Sequence, residues 1–220
     1  MRKLFAFNMV TLDGFFEGPD QDISWHHVDD EFNQFAIEQT SSVDTILFGR
    51  KTYEVMASYW PTEAAIKDDT DIAGLMNSLP KIVFSRTLQK AEWNNTRLVK
   101  DNIEEEILKL KAQPGKELAV FGSADLLSTL IKLDVVDEHR IIVNPVVLGK
   151  GIPLFKDVEN KLNLQLVRSR IFASGNVLLY FITSLREHKE VFIANVILQI
   201  IDKFVNKSNI SGENDAPGIY

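Results

Sequence analysis

Thr45-Ile-Leu-Phe-Gly-Arg-Lys-Thr-Tyr-Glu-Val-Met56 changes its period halfway. Apolar and β-branched residues run up to Gly49, as in a strand buried on both faces. Beyond it Tyr53, Met56 and Ala57 recur at helical spacing. A buried strand that feeds a helix through a glycine leaves free backbone N–H groups where the helix dipole also favours negative charge. Arg50, Lys51 and Thr52 stand at that turn. The junction suits an anion, with phosphate the first candidate and a solvated helix start the plainer alternative.

Working outward, the same punctuation recurs. Residues 81–84 read as a strand that stops at Ser85-Arg86-Thr87, a second cluster of hydroxyls and a cation. Residues 117–121 read as a strand, and Gly122-Ser123-Ala124-Asp125 then opens a helix over 126–133. Residues 3–12 are apolar at both parities, which predicts a central strand ended by the turn Asp13-Gly14. The long loop that follows carries Phe15, Phe16, Gly18, Pro19 and Trp25, and loops of this length often bind ligands or cover them. Residues 29–40 read as a helix with Phe32, Phe35, Ala36 and Gln39 on one side. Asp29, Asp30 and Glu31 open it, where acids complement the helix dipole.

The remaining segments fill in an alternating order. A polar connection over 59–70 precedes a short helix at 71–78; a strand at 97–99 precedes a helix at 103–112. Residues 135–143 read as a strand and 144–151 as a glycine-bounded loop. Strands over 162–172 and 177–184 are joined by Ala173-Ser-Gly-Asn176, a hairpin signal. Strands alternating with helices, closed by a hairpin, predict an α/β fold. Its central sheet is mostly parallel, with helices on both faces and an antiparallel C-terminal edge.

Composition narrows the function. The chain has 220 residues and a formal charge of −7, against the basic face that general nucleic-acid binding needs. Any anion site must therefore be a local cluster. There are no cysteines, which removes disulfides, thiol catalysis and Cys-ligated zinc and makes the reducing cytoplasm the expected location. The N-terminus runs straight into a strand without the apolar core of a signal peptide, and no run is long enough to span a membrane. The four histidines include no pair at helical metal-ligand spacing, so no metal is expected. Neither G-x-G-x-x-G, nor the P-loop pattern, nor a G-x-S-x-G elbow is present.

In open α/β sheets ligands bind beyond the carboxyl ends of the parallel strands. If the strands ending at Gly49, Phe84 and Phe121 are neighbours, their phosphate-friendly clusters converge on one edge. Gly122 and Ser123 would offer N–H groups to a pyrophosphate, while Arg50, Ser85 and Arg86 would hold a phosphate further out. A dinucleotide with a 2′-phosphate wants Arg, Ser and Thr there, whereas the unphosphorylated one wants an acid, and the sequence shows no acid in these clusters.

These junctions resemble dihydrofolate reductase. The likeness is greater to the reductase domain of bacterial riboflavin biosynthesis and to stand-alone members of the dihydrofolate reductase family. It rests on Gly49-Arg50-Lys51-Thr52, Ser85-Arg86-Thr87, Val10-Thr-Leu-Asp-Gly-Phe-Phe-Glu-Gly18, Val120-Phe-Gly-Ser-Ala-Asp-Leu126 and Asn144-Pro-Val-Val-Leu-Gly-Lys-Gly151, in that family's order. The resemblance spans residues 2–184 and implies a dihydrofolate reductase-like domain over 1–184 that uses NADPH as hydride donor. Arg50, Lys51, Thr52, Ser85, Arg86 and Thr87 would bind the adenosine half with Gly49 at the turn. Gly122, Ser123, Ala124, Asp125 and Leu126 would hold the pyrophosphate, and Met9 and Asp13 would border the nicotinamide. Where dihydrofolate reductase has Gly-Gly, this chain has Phe121-Gly122.

On the substrate side the resemblance implies a carboxylate early in the first helix, Glu31 or else Asp30 or Asp29, with Trp25 and Phe35 lining the pocket. The implied substrate is a small heterocycle: a pteridine, or a pyrimidine such as 5-amino-6-(5-phosphoribosylamino)uracil. The alternative is a non-catalytic protein that kept only the NADP(H) site. Beyond residue 184, Ile193, Ile197, Ile200, Ile201 and Phe204 recur at helical spacing, and 206–220 are polar. A helix with that apolar face is expected to sit at a homodimer interface, since relatives in the family are often dimeric.

Overall fold

The computed structural model describes residues 1–183. The readings made for the tail helix, its dimer interface and the polar end lie outside the described residues. In chain order the elements are β1 (Leu4–Thr11), β2 (Phe15–Glu17), α1 (Asp30–Ser41), β3 (Val43–Gly49), α2 (Arg50–Tyr59), α3 (Glu63–Asp68), α4 (Thr70–Ser78), β4 (Lys81–Phe84) and β5 (Thr96–Val99). They continue with α5 (Ile103–Ala112), β6 (Glu117–Phe121), α6 (Ala124–Lys132), β7 (Glu138–Asn144), β8 (Ile152–Pro153), β9 (Leu164–Ile171) and β10 (Val177–Thr183).

One 8-stranded sheet has the order β5-β4-β3-β6-β1-β7-β10-β9. From β5 to β7 neighbouring strands run parallel, while β10 lies antiparallel on β7 and the hairpin places β9 at the edge. The mostly parallel sheet with an antiparallel C-terminal edge is the fold expected from the sequence.

Alternate residues of β1 feed two layers. Leu4, Ala6 and Val10 join a core with Ile107 and Leu110 of α5 and Leu126, Leu127 and Leu130 of α6. On the opposite face, Phe5 packs in a core with Tyr53 of α2 and Met76 of α4, and Met9 packs with Phe32 and Phe35 of α1. Helices therefore cover both faces, which explains why β1, β3 and β6 read as continuous apolar runs.

Two segments differ from the sequence reading. The strand expected from residue 135 begins at Glu138; Val135 and Val136 are buried in the exit from α6, where Val135 N–H donates to Leu130 O at 3.3 Å. Apolar periodicity reported burial there and not strand pairing. The polar connection over 59–70 contains α3, started by Thr62, whose hydroxyl accepts from Ala65 N–H at 3.1 Å. The loop after β1 also forms a strand pair of its own, β2 against β8.

His139 of β7 is 1% exposed, packs edge-on to Phe155, and has no hydrogen-bond partner for either ring nitrogen. Burial pulls its pKa down to about 4. The unfolded chain takes up this proton near the ordinary value of 6.5, the native state only near 4. Stability is therefore lost as pH falls through that window, at about 1.4 kcal/mol per pH unit. Urea unfolding at pH 7 and pH 5 should show an acid loss of about 2 kcal/mol more in the wild type than in His139→Leu. Equal acid losses in the two proteins would contradict a neutral, buried His139.

Candidate active site

The parallel strands all deliver their carboxyl ends to one edge, and there β4, β3 and β6 are adjacent. The convergence that the sequence left conditional is met. Helix α2 begins directly after Gly49 and has no side-chain cap, so the N–H groups of its first turn point outward without an intrahelical acceptor. Helix α6 begins after Ser123, whose hydroxyl accepts from Leu126 N–H at 3.2 Å. The N–H groups of Ala124 and Asp125 are left at the helix start.

The two helix starts touch. A Cβ on Gly49 would lie 2.5 Å from Ser123 Oγ, and one on Gly122 would lie 3.0 Å from Thr52 Cγ2 and 3.4 Å from Phe16 Cζ. Gly122 has φ +66 and Ser123 φ +62. The second value is unusual for a residue with a side chain and costs of order 1–3 kcal/mol, a kind of strain that concentrates at ligand sites. Left-handed backbone thus occurs at Gly122, the second residue of the Phe121-Gly122 pair, and at Ser123 after it.

The outer cluster is only partly as expected. Ser85 Oγ accepts from Thr87 N–H at 3.2 Å and Leu88 N–H at 2.9 Å, so it also holds its own turn. Arg86 is exposed, but its Nε lies 3.6 Å from Asp101 Oδ1. The expectation of a cluster free of acids is therefore corrected. β5 lies next to β4, and its end brings Asp101 across to Arg86. Both side chains are well exposed, so the pair binds weakly and a phosphate can compete for Arg86. Lys51 lines a cleft of about 420 Å³ with Gly18, Pro19, Gln21 and Gly151. Asp125, in the first turn of α6, is paired with Lys156.

The other half of the edge lies toward β1. Its floor is the β1–β6 seam, where Phe7 and Phe121 meet edge-on at 6.0 Å. Met9 is buried against α1, and Phe35 is a core residue, packed on Phe7, Phe32 and Phe172, with its remaining edge on a cleft beside α1 that Gln39 and Arg140 also line. Trp25 is half-buried; its indole N–H donates to Asp22 O at 3.1 Å.

The three acids at the start of α1 have separate tasks. Asp29 is the N-cap, with Oδ1 accepting from Phe32 N–H at 2.8 Å. Glu31 accepts from Ala173 N–H at 2.8 Å and from Arg170 at 3.0 Å, and these bonds, the backbone one first, hold its carboxyl below the usual range. Asp30 is exposed and has no hydrogen bond or ion pair among the described residues. Asp13 ties the end of β1 to the glycine-bounded loop: it accepts from Thr11 Oγ1 at 2.6 Å and from Gly149 N–H at 2.7 Å.

Sequence reading missed a clamp beside these acids. Asn144 and Asn176 are fully buried. Asn144 Oδ1 accepts from His27 N–H at 3.0 Å, its amide donates to Val10 O at 3.3 Å, and Asn176 Nδ2 donates to His27 O at 2.8 Å. Both polar groups of one loop residue are thus held two residues before the N-cap of α1. Asn144 stands in a quoted motif and Asn176 in the hairpin turn, but neither position announces a partner over a hundred residues away. Asn144→Ala should lower the unfolding free energy by about 1–3 kcal/mol, because it strands the His27 N–H and the Val10 carbonyl. Urea titration checks this; an unchanged midpoint would show that the loop is held by other contacts.

Comparison with known proteins agrees with this geometry. Residues 2–178 match the model of the RibD C-terminal domain. The chain is 40% identical to the uncharacterized protein YyaP of Bacillus subtilis (strain 168) over 178 residues, covering 80% of this chain and 92% of that protein. Among solved structures it superposes on a diaminohydroxyphosphoribosylaminopyrimidine deaminase/5-amino-6-(5-phosphoribosylamino)uracil reductase from Thermotoga maritima with TM-score 0.60 and 15% identity, over 83% of this chain and 56% of that one. It also superposes on the dihydrofolate reductase of Enterococcus faecalis complexed with NADP(H) and RAB-propyl, with TM-score 0.57 and 14% identity, over 83% and 96% of the two chains. At these identities the superpositions speak for the fold. Among the described residues no helix is long and apolar enough to cross a membrane.

Proposed function

The chain belongs to the RibD C-terminal domain family, and from that premise we propose a reductase that takes NADPH as its hydride donor and a small pyrimidine- or pteridine-like heterocycle as its substrate. One observation carries the proposal: two helix starts, from the adjacent strands β3 and β6, meet at Gly49 and Gly122, with only the short side chains of Thr52 and Ser123 packed between them. A cradle of backbone N–H groups too tight for a Cβ fits a pyrophosphate. When bound, NADPH supplies the hydride.

The residues of the chain then divide the work. Arg50, Lys51 and the first-turn N–H groups of α2 bind phosphate from one side, and Ala124 and Asp125 N–H from the other. Arg86, with Thr87 and Ser85 beside it, takes a phosphate further out on β4. Phe16 of β2 closes over Gly122, and Phe7 and Phe121 make a floor that excludes water. Glu31 stays ionised through Ala173 and Arg170, which suits it to hold an amino group rather than to give up a proton. Asp30, without a partner among the described residues, is the acid left available to the substrate.

A non-catalytic NADP(H)-binding protein is the second reading, favoured by the structural work that occupies both Asp29 and Glu31. NADPH oxidation across pterins and aminouracils separates the two. In the reductase, Asp30→Asn lowers turnover and leaves NADPH affinity unchanged; retained turnover would remove Asp30 from proton handling.

The corrected outer cluster gives a sharper cofactor test. A charge-assisted contact contributes about 1.5–3 kcal/mol. Arg86→Ala should therefore weaken NADPH by about tenfold or more with little effect on NADH. Asp101→Asn should tighten NADPH, since it removes the carboxylate that competes for the same guanidinium. Equal wild-type affinities for the two cofactors by calorimetry would contradict the assignment of this cluster to a 2′-phosphate.

A further inference from the structure

We propose that the protein has a second small-molecule site, a cleft of about 690 Å³ between α2 and the connection from β4 to β5, and that its ligand is an uncharged molecule built on one or two flat rings. Gly49, Lys51, Arg86 and Gly122 are not among the residues that line it, so the site is distinct from the cofactor edge and does not depend on the reductase reading. Its volume is that of an ordinary ligand pocket.

Helical spacing orders the lining. Tyr53 and Ala57, four residues apart on α2, form an apolar row that Pro61 continues past the helix end. Glu54 and Ser58, each one residue later, form a polar row beside it. The connection supplies Trp93 and Asn94, and Ile66 of α3 adds an apolar side chain that is 44% exposed. An apolar base with a polar rim receives a ring on its faces and meets its edge with hydrogen-bonding groups.

The base is held in place before any ligand arrives. Trp93 N–H donates to the Tyr53 hydroxyl at 3.0 Å, its indole N–H donates to Asn77 Oδ1 at 2.8 Å, and its ring packs on Phe48 at 6.0 Å. The Asn77 amide in turn donates to Trp60 O at 2.8 Å. With both aromatic side chains fixed by their own hydrogen bonds, little ordering is left to be done on binding.

Charge sets the class of the ligand. Glu54, Glu92 and Lys90 line the cleft, and Lys90 Nζ lies 3.0 Å from Glu92 Oε1. A further cation stands against the base: Lys81 Nζ is 4.4 Å from the centre of the Trp93 ring and donates to Met76 O at 2.8 Å and Leu79 O at 2.7 Å. Two carboxylates are therefore matched by two ammonium groups. An ion of either sign entering the cleft would lose hydration without a net attraction to replace it, whereas an uncharged ring loses only its apolar hydration.

The probes that test this are three indoles with one ring system and different charge: tryptophol, tryptamine and indole-3-acetate. Each is titrated into the isotope-labelled full-length protein, and binding is followed by the shifts of backbone amide and tryptophan indole signals. Tryptophol should bind tighter than either ion by about tenfold or more. Its largest shifts should fall at Glu54, Ala57, Ile66 and Asn94 and at the Trp93 indole N–H. Ile66→Arg, a change at an exposed position, should weaken tryptophol by about tenfold or more. Either ion binding as tightly as tryptophol, shifts centred on Met9 and Trp25 instead, or no shifts up to the solubility limit would overturn the proposal. Full tryptophol affinity in a folded Ile66→Arg protein would overturn it as well.

Discussion

The contact between the starts of α2 and α6 is the constraint on which the site depends. Gly49 and Gly122 are glycines because the space their Cβ atoms would occupy is filled by Ser123 and Thr52. That closeness is possible only because β3 and β6 are neighbours, and their adjacency follows from the topology that inserts β6 between β3 and β1. Two helix dipoles then end on one small volume, and the positive φ of Ser123 is the local strain that holds the second helix start in place. Burial of both faces of the sheet supplies the stability against which that strain is set.

Around this contact the charges are unevenly spread. The ends of β3 and β4 lead into Arg50, Lys51 and Arg86; the start of α1 carries Asp29, Asp30 and Glu31, the last paired with Arg170. An edge divided in this way suits the proposed arrangement, with cofactor phosphates at one end and the substrate ring at the other. The clamp on His27 by Asn144 and Asn176 matters for the same reason, since it fixes where the acids at the start of α1 stand.

Much of this was legible in the sequence, and the limits have physical causes. The strand-glycine-helix junctions at Gly49 and Gly122 were readable because a continuous apolar run gives way to helical spacing at a glycine. The antiparallel edge was readable from the hairpin turn at residues 173–176. What could not be read was distance across the fold. Asp101 reaches Arg86 only because β5 pairs with β4, and Asn144 reaches His27 only because the end of β7 lies under the loop before α1. The acids show the remaining gap: Asp29, Asp30 and Glu31 are consecutive and chemically alike. Their separate roles are set by which one meets Phe32 N–H and which one meets Arg170 and Ala173.

The account turns on both helix starts binding one ligand together. Amide hydrogen exchange of the full-length protein, with and without saturating NADPH, tests that most directly. Protection should rise together at Arg50, Lys51 and Thr52 and at Ser123, Ala124 and Asp125, and adding inorganic pyrophosphate alone should reproduce part of it. Protection at only one of the two helix starts, or at neither while NADPH is bound, would contradict the shared cradle.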